Sequence, residues 1–209
     1  LDILGEDAAK DSDCDASVEH YKKLIGLISD SPIILEPSMA KDARRQPSVS
    51  FKPSMFATTA PEMGMVRSAD LDKAYNRIET VVNFAAEKGV RVTLEAEDHR
   101  WTDFHLETYF SLIESGYRNV GTVIQTRLFR TEKDIKRFDE RMRTRVVIGI
   151  YNEPAHASVY TPPDSPDAER VRELYIAMGM DLFTNLVDIR DNPRPGVIDA
   201  LARMRIDAE

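Results

Sequence analysis

The sequence predicts an α/β protein, parallel strands covered by helices, and three observations lead there. Three short runs are apolar on both faces: "VRVTLEA" (90–96), "NVGTVIQT" (119–126) and "RVVIGIY" (145–151). Such runs belong to strands buried on both sides. Segments with apolar residues at helical spacing lie between them. The repeating unit is therefore strand then helix, which packs helices on both faces of a sheet or around the outside of a barrel.

Taken in order, "VEHYKKLIGLIS" (Val18–Ser29) carries helical spacing and stops at the turn-prone "DSP". A short strand runs through Val49 and Phe51 and ends at Pro53, which cannot donate to a ladder. "SADLDKAYNRIETVVNFAAEKG" places Leu71, Ala74, Ile78, Val81, Val82 and Ala85 on one helical face. Its opening serine or aspartate is an N-cap, and Gly89 sits where a terminating glycine belongs. After the strand "VRVTLEA", Thr102 or Asp103 is expected to cap a helix bearing Leu106, Tyr109, Phe110 and Ile113, closed by Gly116. "TEKDIKRFDERM" is expected to be a helix opened by Thr131. Beyond Tyr151 the text becomes proline-rich and polar, "YNEPAHASVYTPPDSPDAER", before a helix from about Asp167 to Asn185 and a last short helix through Leu201 and Met204. Only four or five strands are evident, whereas a complete (β/α)8 barrel takes about 250 residues. Part of a barrel is missing, or the fold is an incomplete or distorted one.

With 36 acidic and 28 basic residues the net charge is -8, which argues against a broad nucleic-acid footprint. The basic cluster Lys133, Lys136, Arg137, Arg141, Arg143 and Arg145 alternates with acids and reads as a solvated face. One cysteine, Cys14, allows no internal disulfide and no Cys/His metal cluster, which suits a reducing, cytoplasmic setting. No apolar run approaches the ~20 residues of a bilayer span, and "LDILGEDAAK" lacks a signal-peptide layout. The missing initiator methionine is read as the mark of a trimmed or partial chain. Neither GxGxxG nor GxxxxGK[ST] nor GxSxG occurs.

In parallel α/β folds ligands bind at the carboxyl ends of the strands. Those ends carry Lys52, then Glu95 and Glu97, then Gln125 and Arg127, then Gly149 and Tyr151, with Arg145 near the start of the last run. A cation, two acids, an amide, an arginine and a phenol around one crevice suit a small zwitterion and the edge of a heterocyclic cofactor. Each has a bland alternative. Lys52 could snorkel, Glu95 could be an exposed strand-end acid, Arg145 could pair with Asp139 or Glu140, and Tyr151 could be core. His99 reads as a loop residue and His105 as helix surface. A further reading has Glu95 and Glu97 holding a divalent cation for a hydrolase or lyase.

"VSFKPSMF", "VTLEAEDHRWTDFHLETYFSLIESGY", "NVGTVIQTRLFRTEKDIKRF" and "RVVIGIYNEPA" resemble, in order and spacing, successive segments of the proline dehydrogenase family. The likeness is strongest over 47–155, loose around "LDILGED" and lost over 156–209, with "VIQTRLFRTEKD" its most specific piece. It implies a single barrel domain over 1–209, of (β/α)8 TIM-barrel type, binding FAD and oxidising L-proline to 1-pyrroline-5-carboxylate. Carried over, Glu95 stands where the family has its active-site aspartate, and Arg145 takes the place near the reactive flavin nitrogen. Ala96, Gln125, Arg145, Ile148, Gly149 and Ile150 fall on flavin-contacting positions. Lys52 and Tyr151 fall on substrate-contacting ones. No metal is implied. An amino-acid substrate, an electron acceptor such as a quinone, peripheral membrane contact and a homo-oligomer are the partners the resemblance admits. Ile148 replaces a lysine of the family pattern, Ile150 an alanine, and the C-terminal Arg-Arg pair is not found, the only adjacent arginines being Arg44 and Arg45. The alternative is a degenerate barrel that binds or assembles without catalysis.

Overall fold

The computed structural model describes residues 7–31, 47–147, 149, 151, 153, 154 and 156–158. The expectations for Arg44, Arg45, Ile148, Ile150 and the helices after Asp167 lie outside the described residues, as does the loose match at "LDILGED" up to Glu6.

Helix α1 spans Asp11–Ser29, a start well before the expected Val18. Its first turns lack an apolar stripe, which hid them from the periodicity. They are held by charge instead. Asp11 and Asp13 favour the positive helix end. From the neighbouring helix, Lys73 Nζ reaches Asp11 at 2.7 Å and Arg77 Nε reaches Asp15 at 2.8 Å.

Strand β1 (Ser48–Phe51) leads into a single 3-10 turn, Pro53–Met55, then helix α2 (Ala69–Glu87). The expected serine cap is present: Ser68 Oγ accepts from Leu71 N at 3.1 Å. Gly89 takes φ +68, a left-handed conformation that glycine adopts without Cβ strain. Strand β2 (Arg91–Leu94) stops two residues short of "VRVTLEA". Helix α3 (Thr102–Glu114) begins after Trp101, and neither Thr102 nor Asp103 caps it. Asp103 is engaged elsewhere, accepting from Gly64 N at 2.9 Å and pairing with Arg130 at 2.7 Å. Strand β3 (Val120–Gln125) is buried throughout.

The expected long helix over "TEKDIKRFDERM" is only one α-turn, α4 (Thr131–Asp134), running into a 3-10 turn at Ile135–Arg137. Its polar side chains bond locally: Thr131 Oγ1 donates to Gln125 O at 2.5 Å and Arg130 pairs with Asp134. Strand β4 is described over Thr144–Val147 and is half-buried beyond Thr144; of the fully buried strand expected over 145–151, Ile148 and Ile150 lie outside the described residues. It is the last strand in the described order, with β3 alone beside it.

The four strands are parallel and lie in the order β1-β2-β3-β4. Sequential order with the usual right-handed crossovers winds one way, as a barrel wall does, and puts the crossover helices on one face. Val49, Phe51, Val92 and Leu94 are fully buried on that face. There Phe51 meets Tyr21 of α1 edge-on at 5.3 Å. Thr122 of β3 meets His105 of α3 through a 2.6 Å hydrogen bond. His105 was expected on the helix surface but is 1% exposed.

The other face is polar. Partners in register place Ser50, Thr93, Gly121 and Arg143 in one row, and Lys52, Glu95, Val123 and Arg145 in the row above. Gly121 makes the lower row possible, because a Cβ there would come within 2.6 Å of the Arg143 guanidinium, which lies across it to donate to Val92 O at 3.1 Å. The apolar layer between helices and sheet carries the stability. Ile78, fully buried in it, is expected to cost about 2–5 kcal/mol when replaced by alanine, measurable as an earlier urea unfolding midpoint at unchanged slope.

Candidate active site at the strand ends

Each strand delivers its last polar residue to the same end of the sheet. Lys52 follows β1 in extended conformation (φ -93, ψ 137) as the residue before the 3-10 turn. Glu95 follows β2, its N–H donating to Phe51 O at 2.9 Å, so the ladder still fixes it. Gln125 ends β3, and Arg145 lies within β4.

Glu95 Oε2 accepts from Arg145 Nη2 at 2.5 Å, linking β2 to β4 across Val123. Two strand spacings separate those backbones, about 9.6 Å, and valine is small enough to be bridged. Arg145 thus pairs with Glu95 and not with Asp139 or Glu140, since Asp139 binds Arg141. The buried Nε of Arg145 has no hydrogen-bond partner among the described residues. Lys52 Nζ stands 5.7 Å from the centre of the Tyr151 ring, over its face. Lys52, Glu95, Arg145 and Tyr151 are therefore brought together.

Glu97 lies deeper, 5% exposed. Its Oε2 accepts from Ser54 N at 2.9 Å, and its main-chain carbonyl accepts from Gln125 Nε2 at 2.7 Å. Burial pushes the carboxyl up to about 7, against the bond from Ser54 and the charge of Lys52. Glu95 is thus engaged by Arg145, and Glu97 by Ser54 N. The Tyr151 phenol is pushed up to about 12 by burial and then by the charges of Glu97, Asp98 and Glu95.

Gln125 Oε1 is buried with no hydrogen-bond partner among the described residues. Beside it Gly149 has φ +103, and a Cβ there would stand 2.5 Å from that oxygen and 2.8 Å from Arg127 Cδ. Arg127 Nη1 donates to Gly149 O at 2.9 Å, and its Nε donates to Ser158 Oγ at 3.2 Å. Ala96 lies between the two acids in the chain and lines a small cavity together with Gln125.

The segment after β4 is strapped down by a pair that sequence reasoning missed. Glu153, 4% exposed, accepts from His99 N at 3.1 Å and lies 2.7 Å from His99 Nδ1. His99 does lie in a loop, as expected, but tied to the strand ends. The signal available was the acid in "NEP" (152–154), a few residues past the last strand. Ser54 was missed too, although Pro53 at the start of a helical turn leaves the next N–H groups as free donors.

Two buried groups oppose each other in pH. Glu97, raised, keeps a proton in the folded chain that the unfolded chain loses above about 4.5, so its contribution falls as pH rises from 4.5 to 7. His105, lowered to about 4 by burial, stays neutral while the unfolded chain protonates below 6.5, so its contribution is lost as pH falls from 6.5 to 4. The two slopes cancel between 4.5 and 6.5. In Glu97→Gln the histidine slope stands alone, and stability is expected to rise by about 1–2 kcal/mol from pH 5 to 6.5, measurable by denaturant titration, while the parent stays flat.

The chain matches the family model "Proline dehydrogenase" over residues 1–150. It is 30% identical over 172 residues to the proline dehydrogenase of Deinococcus radiodurans, covering 81% of this chain and 49% of that protein. It is 26% identical to proline dehydrogenase 1 of Bacillus subtilis strain 168 over 74% of this chain and 44% of the relative. The chain thus spans about half the length of the curated relatives it matches. Its fold is similar to part of proline utilization A from Bdellovibrio bacteriovorus inactivated by N-propargylglycine, with TM-score 0.62 and 23% identity over 72% of this chain and 17% of that one. The Bradyrhizobium japonicum proline utilization A mutant D779W aligns with TM-score 0.59 and 18% identity, over 71% of this chain and 16% of that one. The four-stranded parallel sheet is part of the barrel wall such proteins share, and the chain belongs to the proline dehydrogenase family.

Proposed function

We propose that this chain carries the active site of a flavin-dependent oxidoreductase that converts L-proline to 1-pyrroline-5-carboxylate, with FAD as cofactor. Family membership supports the reaction, and one observation supports the location. Lys52, Glu95 and Arg145 stand in a single row at the strand ends, beside a buried glutamine oxygen with no partner among the described residues.

The residues present fit a flavin. Gln125 offers a buried acceptor, Arg145 a buried N–H donor, and Gly149 leaves room where a Cβ would collide with Gln125. A heterocycle with alternating donors and acceptors satisfies such groups, which are otherwise costly to bury. Gln125, Gly149, Arg145 and the Ala96 main chain would hold it. The flavin supplies acceptance of a hydride when bound, the part of the chemistry that protein side chains cannot perform.

The chain's own groups do the rest. Lys52 holds the substrate carboxylate by a charge-assisted bond, with Tyr151 closing the wall beside its ammonium. Glu95 fixes the Arg145 guanidinium, and Arg145 stabilises the negative charge that arrives with the hydride. The substrate's C–H bond breaks as its ring C–N bond becomes C=N, and the amine proton leaves to solvent. Passage of the electrons to an acceptor such as a quinone completes the cycle. Peripheral membrane contact and self-association would be compatible with that acceptor. Among the described residues no helix is long and apolar enough to cross a membrane.

The test is direct. The purified chain supplied with FAD should be yellow, and L-proline added without oxygen should bleach it. Lys52→Met removes one charge-assisted contact of about 1.5–3 kcal/mol, and so should lower kcat/KM by roughly 10–100-fold. A chain that binds FAD and is not reduced by L-proline would instead be a binding module without this catalysis.

A further inference from the structure

We propose that Glu97 is a positioning residue of this reaction, joining the ends of β1, β2 and β3 so that Lys52 and Gln125 face one hollow. The inference rests on the proline-oxidising reading of the site and deepens it.

Two hydrogen bonds carry the argument. Glu97 Oε2 accepts from Ser54 N at 2.9 Å, which pins the 3-10 turn that opens directly after Lys52. That turn is closed by Met55 N donating to Lys52 O at 3.1 Å, so the Lys52 backbone and the Glu97 carboxylate belong to one hydrogen-bonded unit. On the other side, the Glu97 carbonyl accepts from Gln125 Nε2 at 2.7 Å. With one of its two N–H groups committed there, the amide is held with its oxygen turned the other way, and that is the atom buried beside Gly149 with no partner among the described residues. One residue therefore sets both the height of the lysine and the polarity of the glutamine.

A glutamate that served only to cap the turn could sit in solvent, as turn-capping carboxylates commonly do. Glu97 is 5% exposed and shares its surroundings with titratable groups from three other segments. Lys52 faces it from the end of β1, Asp7 from the N-terminal segment and Tyr151 from beyond β4, while Glu95 and Asp98 flank it in its own segment. Asp7 and Ala8 fasten the same turn from outside, Asp7 N donating to Ser54 Oγ and Ala8 N to Ser54 O, both at 3.2 Å. The carboxyl raised to about 7 by burial then makes the hold on Lys52 dependent on pH in the neutral range.

The experiment compares the FAD-loaded full chain with Glu97→Ala, Glu97→Asp and Glu97→Gln, measuring KM and kcat for L-proline from pH 6 to 8.5, flavin content, and the dissociation constant of cyclopentanecarboxylate read from the flavin absorption. Loss of one buried hydrogen bond to a charged group corresponds to roughly 10-fold in affinity. Glu97→Ala should raise KM and the cyclopentanecarboxylate constant by about that factor, with kcat and flavin content nearly unchanged. Glu97→Asp, a methylene short of Ser54 N, carries the same expectation should the alanine variant not fold. Glu97→Gln keeps an acceptor for Ser54 N, so it should restore KM while the pH step near 7 disappears. Unchanged KM and probe affinity in both shortened variants, or losses that merely follow flavin content, would overturn the positioning role while leaving proline oxidation standing. A parent chain that takes up FAD but is not reduced by L-proline would overturn the reading beneath it, and a probe affinity still tied to Glu97 would then show the positioning alone.

Discussion

The register of four parallel strands is the constraint on which the site depends. Parallel pairing with Thr93 opposite Gly121 and Val123 opposite Arg145 puts Glu95 level with Arg145, and the pairing of Phe51 with Leu94 brings Lys52 to the same level. A slip of one residue in any strand would turn its polar side chain into the helix layer and its apolar one into the hollow. The register is enforced from the helix side, where Val49, Phe51, Val92 and Leu94 are fully buried against helices. The chemistry on one face of the sheet is thus positioned by the packing on the other.

That polar face is unusually charged for the inside of a barrel wall, whose lumen is more often filled by branched apolar side chains. Lys52, Glu95, Arg145 and the deeper Arg143 all lie on it. Charge there costs desolvation, and the fold offsets it pairwise: Glu95 with Arg145, Arg143 with a main-chain carbonyl over a glycine, Glu97 with a turn N–H. Gln125 Oε1 and Arg145 Nε are among the buried atoms with no partner among the described residues, and the proposed flavin would complete them.

Much of this was legible in the amino-acid order. The helix over Ala69–Glu87 declared itself through its stripe, its serine cap and Gly89, and β3 through its continuous apolar run. Lys52, Glu95, Arg145 and Tyr151 could be named because strand ends converge in any parallel sheet. What escaped was governed by charge or by distant partners. The first turns of α1 depend on ion pairs with Lys73 and Arg77, some sixty residues away. Asp103 looked like a cap and instead serves Gly64 and Arg130. "TEKDIKRF" has helix-forming composition but lacks an apolar stripe to hold a long helix against the core, and it yields a single turn. The buried His105, the Ser54–Glu97 contact and the His99–Glu153 pair have no periodic signature at all.

The proposed flavin site is bounded by Gln125, Gly149 and Arg145 on one side and by Lys52 and Tyr151 on the other. A crystal structure of the chain grown with FAD addresses it most directly. The account predicts electron density for the isoalloxazine ring within hydrogen-bond distance of Gln125 Oε1 and Arg145 Nε. Well-ordered flavin density against any other surface, with those two atoms still unpaired, would contradict it.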